Sequence, residues 1–165
     1  MIFIVYYRDM ADPNDMWQPI ESIGPTGTAV AANIKRLRDG LPFTELSSRL
    51  TDLGRPIPPL GLRKIESGGR RVDTDDLLAL AVALGVSPIT LLMPADVVMT
   101  TTVTATGVVD GKLSAKRLWN WLNASYALQG AVMAFYARAL PSWERAELEK
   151  GMGPTMAGLM DLRGP

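Results

Sequence analysis

The side chains best suited to chemistry in this sequence are cations, and they are concentrated. Between positions 35 and 71 stand nine basic residues, Lys35, Arg36, Arg38, Arg49, Arg55, Arg63, Lys64, Arg70 and Arg71. Only four acidic residues accompany them, Asp39, Glu45, Asp52 and Glu66, a local excess of five (nine minus four). The full 165 residues balance at 17 basic and 17 acidic. A neutral chain with one basic segment carries the electrostatic footprint of a nucleic-acid binder, in which lysine and arginine neutralise phosphates. Charge alone does not choose DNA over RNA or an acidic protein.

Other chemistry is scarce. With no histidine and no cysteine, the chain lacks imidazole bases, thiolate nucleophiles, disulfides and the commonest zinc ligands. Asp110, Glu144, Glu147 and Glu149 are the acidic residues that could suggest acid–base work, and the last three read as a solvated helix face. No enzyme, metal or cofactor is expected. The absence of cysteine fits a reducing, cytoplasmic setting. The apolar start "MIFIVYY" is too short to span a bilayer and lacks the pattern of a signal peptide. It reads either as an edge strand or as residues ahead of a true start at Met10 or Met16.

The elements that must hold the cations follow from periodicity. Residues 1–27 carry Pro13, Pro19, Gly24, Pro25 and Gly27 without a sustained period and read as an irregular arm. Val30, Ile34 and Leu37 then recur at helical spacing, with Thr28 as the expected N-cap and Gly40 past the end. Phe43, Leu46, Leu50 and Leu53 mark the buried side of a second helix stopped by Gly54. The stretch "GRPIPPLGLRKIESGGRR" follows, with prolines at 56, 58 and 59. Proline fixes φ and suits the first turn of a helix, so the stretch predicts a stiff turn launching a short helix over 59–67. Leu62 and Ile65 are its two core positions, and Gly68-Gly69 end it. A helix that short depends on packing. Asp73 caps a fourth helix with Leu77, Leu78, Ala81 and Leu84 on its apolar side; Ser87-Pro88 opens a fifth that ends before Pro94.

Beyond residue 94 the character changes. "MTTTVTATGVV" with the Asp110-Gly111 turn pair predicts a short strand or hairpin. Two to three helices follow: one capped by Ser114 with Leu118, Trp121 and Leu122 on one side, one broken by Pro141, and one capped by Ser142 up to Gly151. The fold class is therefore mainly α, with residues 99–150 as a smaller C-terminal extension and 151–165 as a flexible tail. Trp119, Trp121, Phe135, Tyr136 and Trp143 read first as core and second as a partner surface. Trp119 and Trp121, two apart, cannot share a helix face, which makes one of them a dimer-contact candidate.

Three blocks in order resemble the XRE family, the Cro and lambda-repressor type of helix-turn-helix regulator. "NIKRLRDGLPFTELSSRL" is similar to its first and second helices, "GLRKIESGGRR" to its reading helix, and "VDTDDLLALAVALGVSPITLLMP" to its fourth and fifth. The resemblance covers about residues 28–94 and implies a five-helix lambda-repressor-like DNA-binding domain that places its third helix in the major groove of double-stranded DNA. It further implies a transcriptional regulator, in first reading a repressor acting as a homodimer. The implied base-reading residues are Leu60, against a thymine methyl, and Arg63 and Lys64, against guanine O6 and N7; Pro59 occupies a base-facing slot without a polar group. The implied phosphate contacts are Arg36, Arg38, Thr44, Arg70 and Arg71.

The sequence departs from that pattern in two places. "DLGRPIPP" is about five residues longer than the usual turn of three or four, although its prolines stiffen it. Pro42 replaces the usual polar cap and Phe43 a polar, phosphate-touching residue, which limits phosphate contact there to the Thr44 hydroxyl and backbone amides. Glu66 is expected to pair with a nearby arginine, and Gly61 to permit close packing. A rival reading keeps the same fold as a protein-interaction module, antitoxin-like or an adaptor, acting through the aromatic C-terminal region.

Overall fold

The computed structural model describes residues 23–108 and 113–151. The edge strand expected in "MIFIVYY", the Asp110-Gly111 turn and the tail after Gly151 lie outside the described residues. Five helices come first: α1 (Pro25–Arg38), α2 (Phe43–Asp52), α3 (Pro59–Glu66), α4 (Thr74–Ala83) and α5 (Pro88–Leu92). A two-stranded antiparallel sheet of β1 (Thr102–Val103) and β2 (Leu113–Ser114) follows, with Thr102 opposite Ser114 and Val103 opposite Leu113. The described chain closes with α6 (Ala115–Leu122), α7 (Val132–Ala139) and α8 (Ser142–Gly151). The protein is mainly helical.

One apolar cluster holds α1 to α5 together. Val30 and Ile34 of α1, Leu46 and Leu50 of α2, Leu62 and Ile65 of α3, Leu80 of α4 and Leu91 of α5 are among its buried members. α1 packs on α3 and α5, while α2 packs on α3 and α4. A second cluster, built from Val103, Leu113, Ala115 and Leu118 with Met93 and Leu128 against it, forms around the small sheet and α6. The two units are stitched by reciprocal hydrogen bonds: the Thr106 N–H donates to Thr26 Oγ1 at 2.9 Å, and the Thr26 N–H to Thr106 Oγ1 at 3.4 Å.

Several local expectations are met for the physical reasons that raised them. Asp73 Oδ1 accepts the Asp76 N–H at 2.7 Å, Ser87 Oγ accepts the Ile89 N–H, and Ser114 Oγ accepts the Arg117 N–H, each satisfying an orphan donor of a first helical turn. Glu144, Glu147 and Glu149 are exposed, as a solvated face requires.

Others are corrected. The arm ends earlier than residue 27, because Pro25 takes the first helical position behind Gly24, and Thr28 lies inside the helix with its hydroxyl donating to the Gly24 carbonyl. Leu53 is 47% exposed, since it sits past the last turn of α2 at the cap. On α4 the buried side runs through Leu77, Leu80, Ala81 and Leu84, leaving Leu78 half exposed. The helix broken by Pro141 takes in only the later part of the apolar stretch "LQGAVMAFYARAL", starting at Val132 behind Gly130 with its φ of 78°. The aromatic residues of the C-terminal unit are not core: Trp119, Trp121, Tyr126 and Trp143 are exposed, and α7 and α8 bury no residue fully. Trp121 consequently leaves the buried side of α6 to Leu118 and Leu122.

Candidate nucleic-acid interface

The opening of α3 explains the proline-rich turn. After α2 the chain reverses at Gly54, whose φ of 75° is the left-handed conformation a side chain would strain, and the Arg55 N–H donates back to the Leu50 carbonyl at 2.9 Å. Ile57, between Pro56 and Pro58, is 1% exposed and plugs the main core, while its carbonyl accepts from Ser47 Oγ at 2.8 Å. The long turn is thus an anchored strap. Pro58 and Pro59 then occupy the cap and first position of α3 with φ already set for entry.

The 3.6-residue period divides α3 cleanly. Leu62 and Ile65 point into the core, whereas Leu60, Arg63, Lys64 and Ser67 are exposed on the other side. All three base-reading candidates therefore share one outward face, with Leu60 65% exposed at its start. Among the described residues neither Arg63 nor Lys64 is ion-paired with a carboxylate. The Arg63 guanidinium instead lies 5.2 Å from the ring centroid of Phe43 at the start of α2. That distance permits a cation–π attraction, which restrains the side chain without neutralising it.

The phosphate candidates fall into two groups. Thr44 is exposed in the first turn of α2, where Pro42 provides no side-chain cap for the amides. Arg36 is exposed, with Nε and Nη2 donating to Asn33 Oδ1, and Arg71 is exposed beyond α3. Arg38 and Arg70 are committed elsewhere. Arg38 is 15% exposed and forms a two-pronged pair with Glu66, through Nε at 2.7 Å and Nη2 at 3.2 Å, while Nη1 donates to the Leu41 carbonyl and the guanidinium covers Phe43 at 4.0 Å. Its bond to Glu66 raises it above the already high arginine range. Arg38 thus clamps α1 to the end of α3 instead of facing outward, and Glu66 has the arginine partner its sequence position suggested.

Arg70 belongs to a second clamp that sequence reading did not single out. The carboxylate of Asp76, 2% exposed, accepts from Arg55 Nε at 2.7 Å on one oxygen and from Arg70 Nη2 at 2.8 Å on the other. Arg55 also pairs with Asp73 at 2.6 Å. Its bonds to Asp76, then the nearby Asp73 and Asp75 charges, raise the guanidinium further above its ordinary value. One buried carboxylate consequently ties the turn before α3 and the loop after it to α4. Gly61 fits this arrangement, since a Cβ there would stand 2.9 Å from Arg70 Nη1 and 3.1 Å from Ile57 Cγ2. Asn33 was equally unannounced: fully buried on the α1 stripe, it donates from Nδ2 to the Leu91 and Met93 carbonyls. The signal was a polar residue sitting three positions from Val30 and four from Leu37, on an otherwise apolar side.

No family model, curated protein or solved structure matches this chain. Among the described residues no helix is long and apolar enough to cross a membrane, and no cluster of potential ligands could hold a metal ion.

Proposed function

We propose that the protein is a sequence-specific DNA-binding transcriptional regulator of the XRE type, a repressor in first reading, with α1 to α5 as a lambda-repressor-like unit and α3 reading the major groove. The observation that carries this reading is the outward face of α3. A short helix held at both ends presents Leu60, Arg63 and Lys64 together, and among the described residues neither cation is ion-paired with a carboxylate. Each good bidentate contact to guanine contributes about 1–3 kcal/mol of discrimination. Thr44, Arg36 and Arg71 are the phosphate contacts that fit the geometry, whereas Arg38 and Arg70 act by bracing the helix. Action as a cytoplasmic homodimer would place two half-sites about 34 Å apart.

Selection of bound sequences from a random DNA pool, with the wild type beside Arg63→Ala, tests the proposal. The substitution is expected to relax the consensus at one base position. An unchanged consensus, or affinity that does not fall with salt, refutes it.

The exposed aromatic residues favour a second reading, in which the C-terminal unit is an interaction module and DNA contact is secondary. Removal of residues 99–165 separates the two: the regulator retains weak DNA binding, while the module loses its main activity.

A further inference from the structure

A cavity of about 890 Å³ lies in the C-terminal unit, where α6, the small sheet and α7 meet. The volume falls within the range of small-molecule sites, which combine apolar walls with a few placed polar groups. Val108, Leu113 and Leu128 give it apolar surface. Arg117 and Trp121, four apart on α6, share one side of that helix and both line the cavity, whereas Trp119 between them does not. Phe135 lines it from α7. That helix is tied to the chain after α6 by the Tyr136 hydroxyl, which donates to the Ser125 carbonyl at 2.6 Å.

The charge in this cavity is not cancelled by an acid. Among the described residues Arg117 is ion-paired with no carboxylate, and none of those lining the cavity is acidic. Its Nη2 donates to the neutral Leu128 carbonyl at 2.9 Å, which holds the guanidinium at the wall and leaves its charge intact. A guanidinium carries five N–H donors in a fork that suits a carboxylate, so donors remain after that bond. One cation balances one negative charge, which favours a carboxylate over a phosphate dianion. The rings of Trp121 and Phe135 favour a flat body, since aromatic pairs gain from stacked or edge-to-face contact beyond the area they bury. We propose that this cavity binds a small aromatic carboxylate, with its anion on Arg117 and its rings against Trp121 and Phe135. Every residue invoked lies beyond α5, so the proposal does not rest on the DNA reading above.

Titration calorimetry of the full chain with 2-naphthoate tests the proposal. Two comparators divide its parts: 2-naphthamide keeps the rings without the charge, and octanoate keeps the charge without the rings. Saturable one-to-one binding of 2-naphthoate is expected, with both comparators about tenfold weaker or more. Arg117→Gln and Trp121→Leu should each weaken 2-naphthoate about tenfold, whereas Trp119→Leu, on the same helix but outside the cavity, should leave it unchanged. Circular dichroism checks that each variant folds, and the comparison of probes on the wild-type chain stands by itself should one fail to. No saturable binding, a comparator that binds as tightly as 2-naphthoate, an isotherm unmoved by Arg117→Gln or by Trp121→Leu, or one weakened equally by Trp119→Leu overturns the proposal.

Discussion

Replacing Asp76 by Asn is the sharpest test of how the reading helix is held. The carboxylate is 2% exposed and accepts one charge-assisted hydrogen bond on each oxygen. An asparagine of the same shape keeps one acceptor and turns an amide donor toward the other guanidinium, so one bond is lost and the survivor becomes weaker. Hydrogen bonds to charged groups contribute about 1.5–3 kcal/mol each. Arg70 is 37% exposed, so water can take up its released donors, which lowers the sum. The expected loss is therefore about 2–3 kcal/mol, below the ~3–5 kcal/mol typical of breaking a fully buried pair. Urea unfolding followed by circular dichroism measures it at unchanged m-value, and a domain of this size should lose roughly 10–20 °C in Tm. Hydrogen exchange should rise at Arg55, Ile57 and residues 68–72 before it rises in α1. A loss under about 0.5 kcal/mol, or exchange rising uniformly, would refute the idea that this carboxylate holds both ends of α3.

Two further outcomes separate bracing from reading. Arg38→Ala strands the buried Glu66 carboxylate and should lower Tm while leaving the salt dependence of DNA binding unchanged; a smaller salt slope with unchanged Tm would return Arg38 to the phosphate contacts. Lys64→Ala should leave stability alone and weaken binding at the base it faces, read by competition between operator variants. The cap carboxylate of Asp73 titrates in a predictable direction: the Asp76 N–H, then the Arg55 charge, hold it below the ordinary aspartate value. Its folded pKa is depressed, so its stabilisation is fully present above about pH 5 and is lost as pH falls below the unfolded value near 3.9 and through the folded one. Melts of the wild type and Asp73→Ala should therefore converge toward pH 2, and a gap persisting there would sink the assignment.

Much of the helical order was legible in the sequence because it rests on local rules. Apolar spacing announced α1, α2 and α4, and Ser87-Pro88 announced α5. Prolines at 58 and 59 announced where α3 begins, and Asp73, Ser87 and Ser114 announced three caps; each depends on residues within one turn of one another. The outward residues of α3 were named only by the helix-turn-helix resemblance, and the burial of Leu62 and Ile65 leaves Leu60, Arg63 and Lys64 exposed on the opposite side. The cations were harder. Nine basic residues look alike in a sequence, and which of them turn inward depends on carboxylates beyond their own helical turn, Glu66 for Arg38 and Asp76 for Arg55 and Arg70.

What the sequence by itself determined is the set of helices in the described chain, the caps at Asp73, Ser87 and Ser114, and the stiffened turn, because near-neighbour sterics and hydrogen bonding specify them. Only the tertiary structure decided that Ile57 anchors the turn, that Asp76 and Asn33 are buried, and that the tryptophans stay on the surface. Those outcomes depend on which surfaces meet across tens of residues, and burial of a polar group is tolerable only where a distant partner arrives to satisfy it.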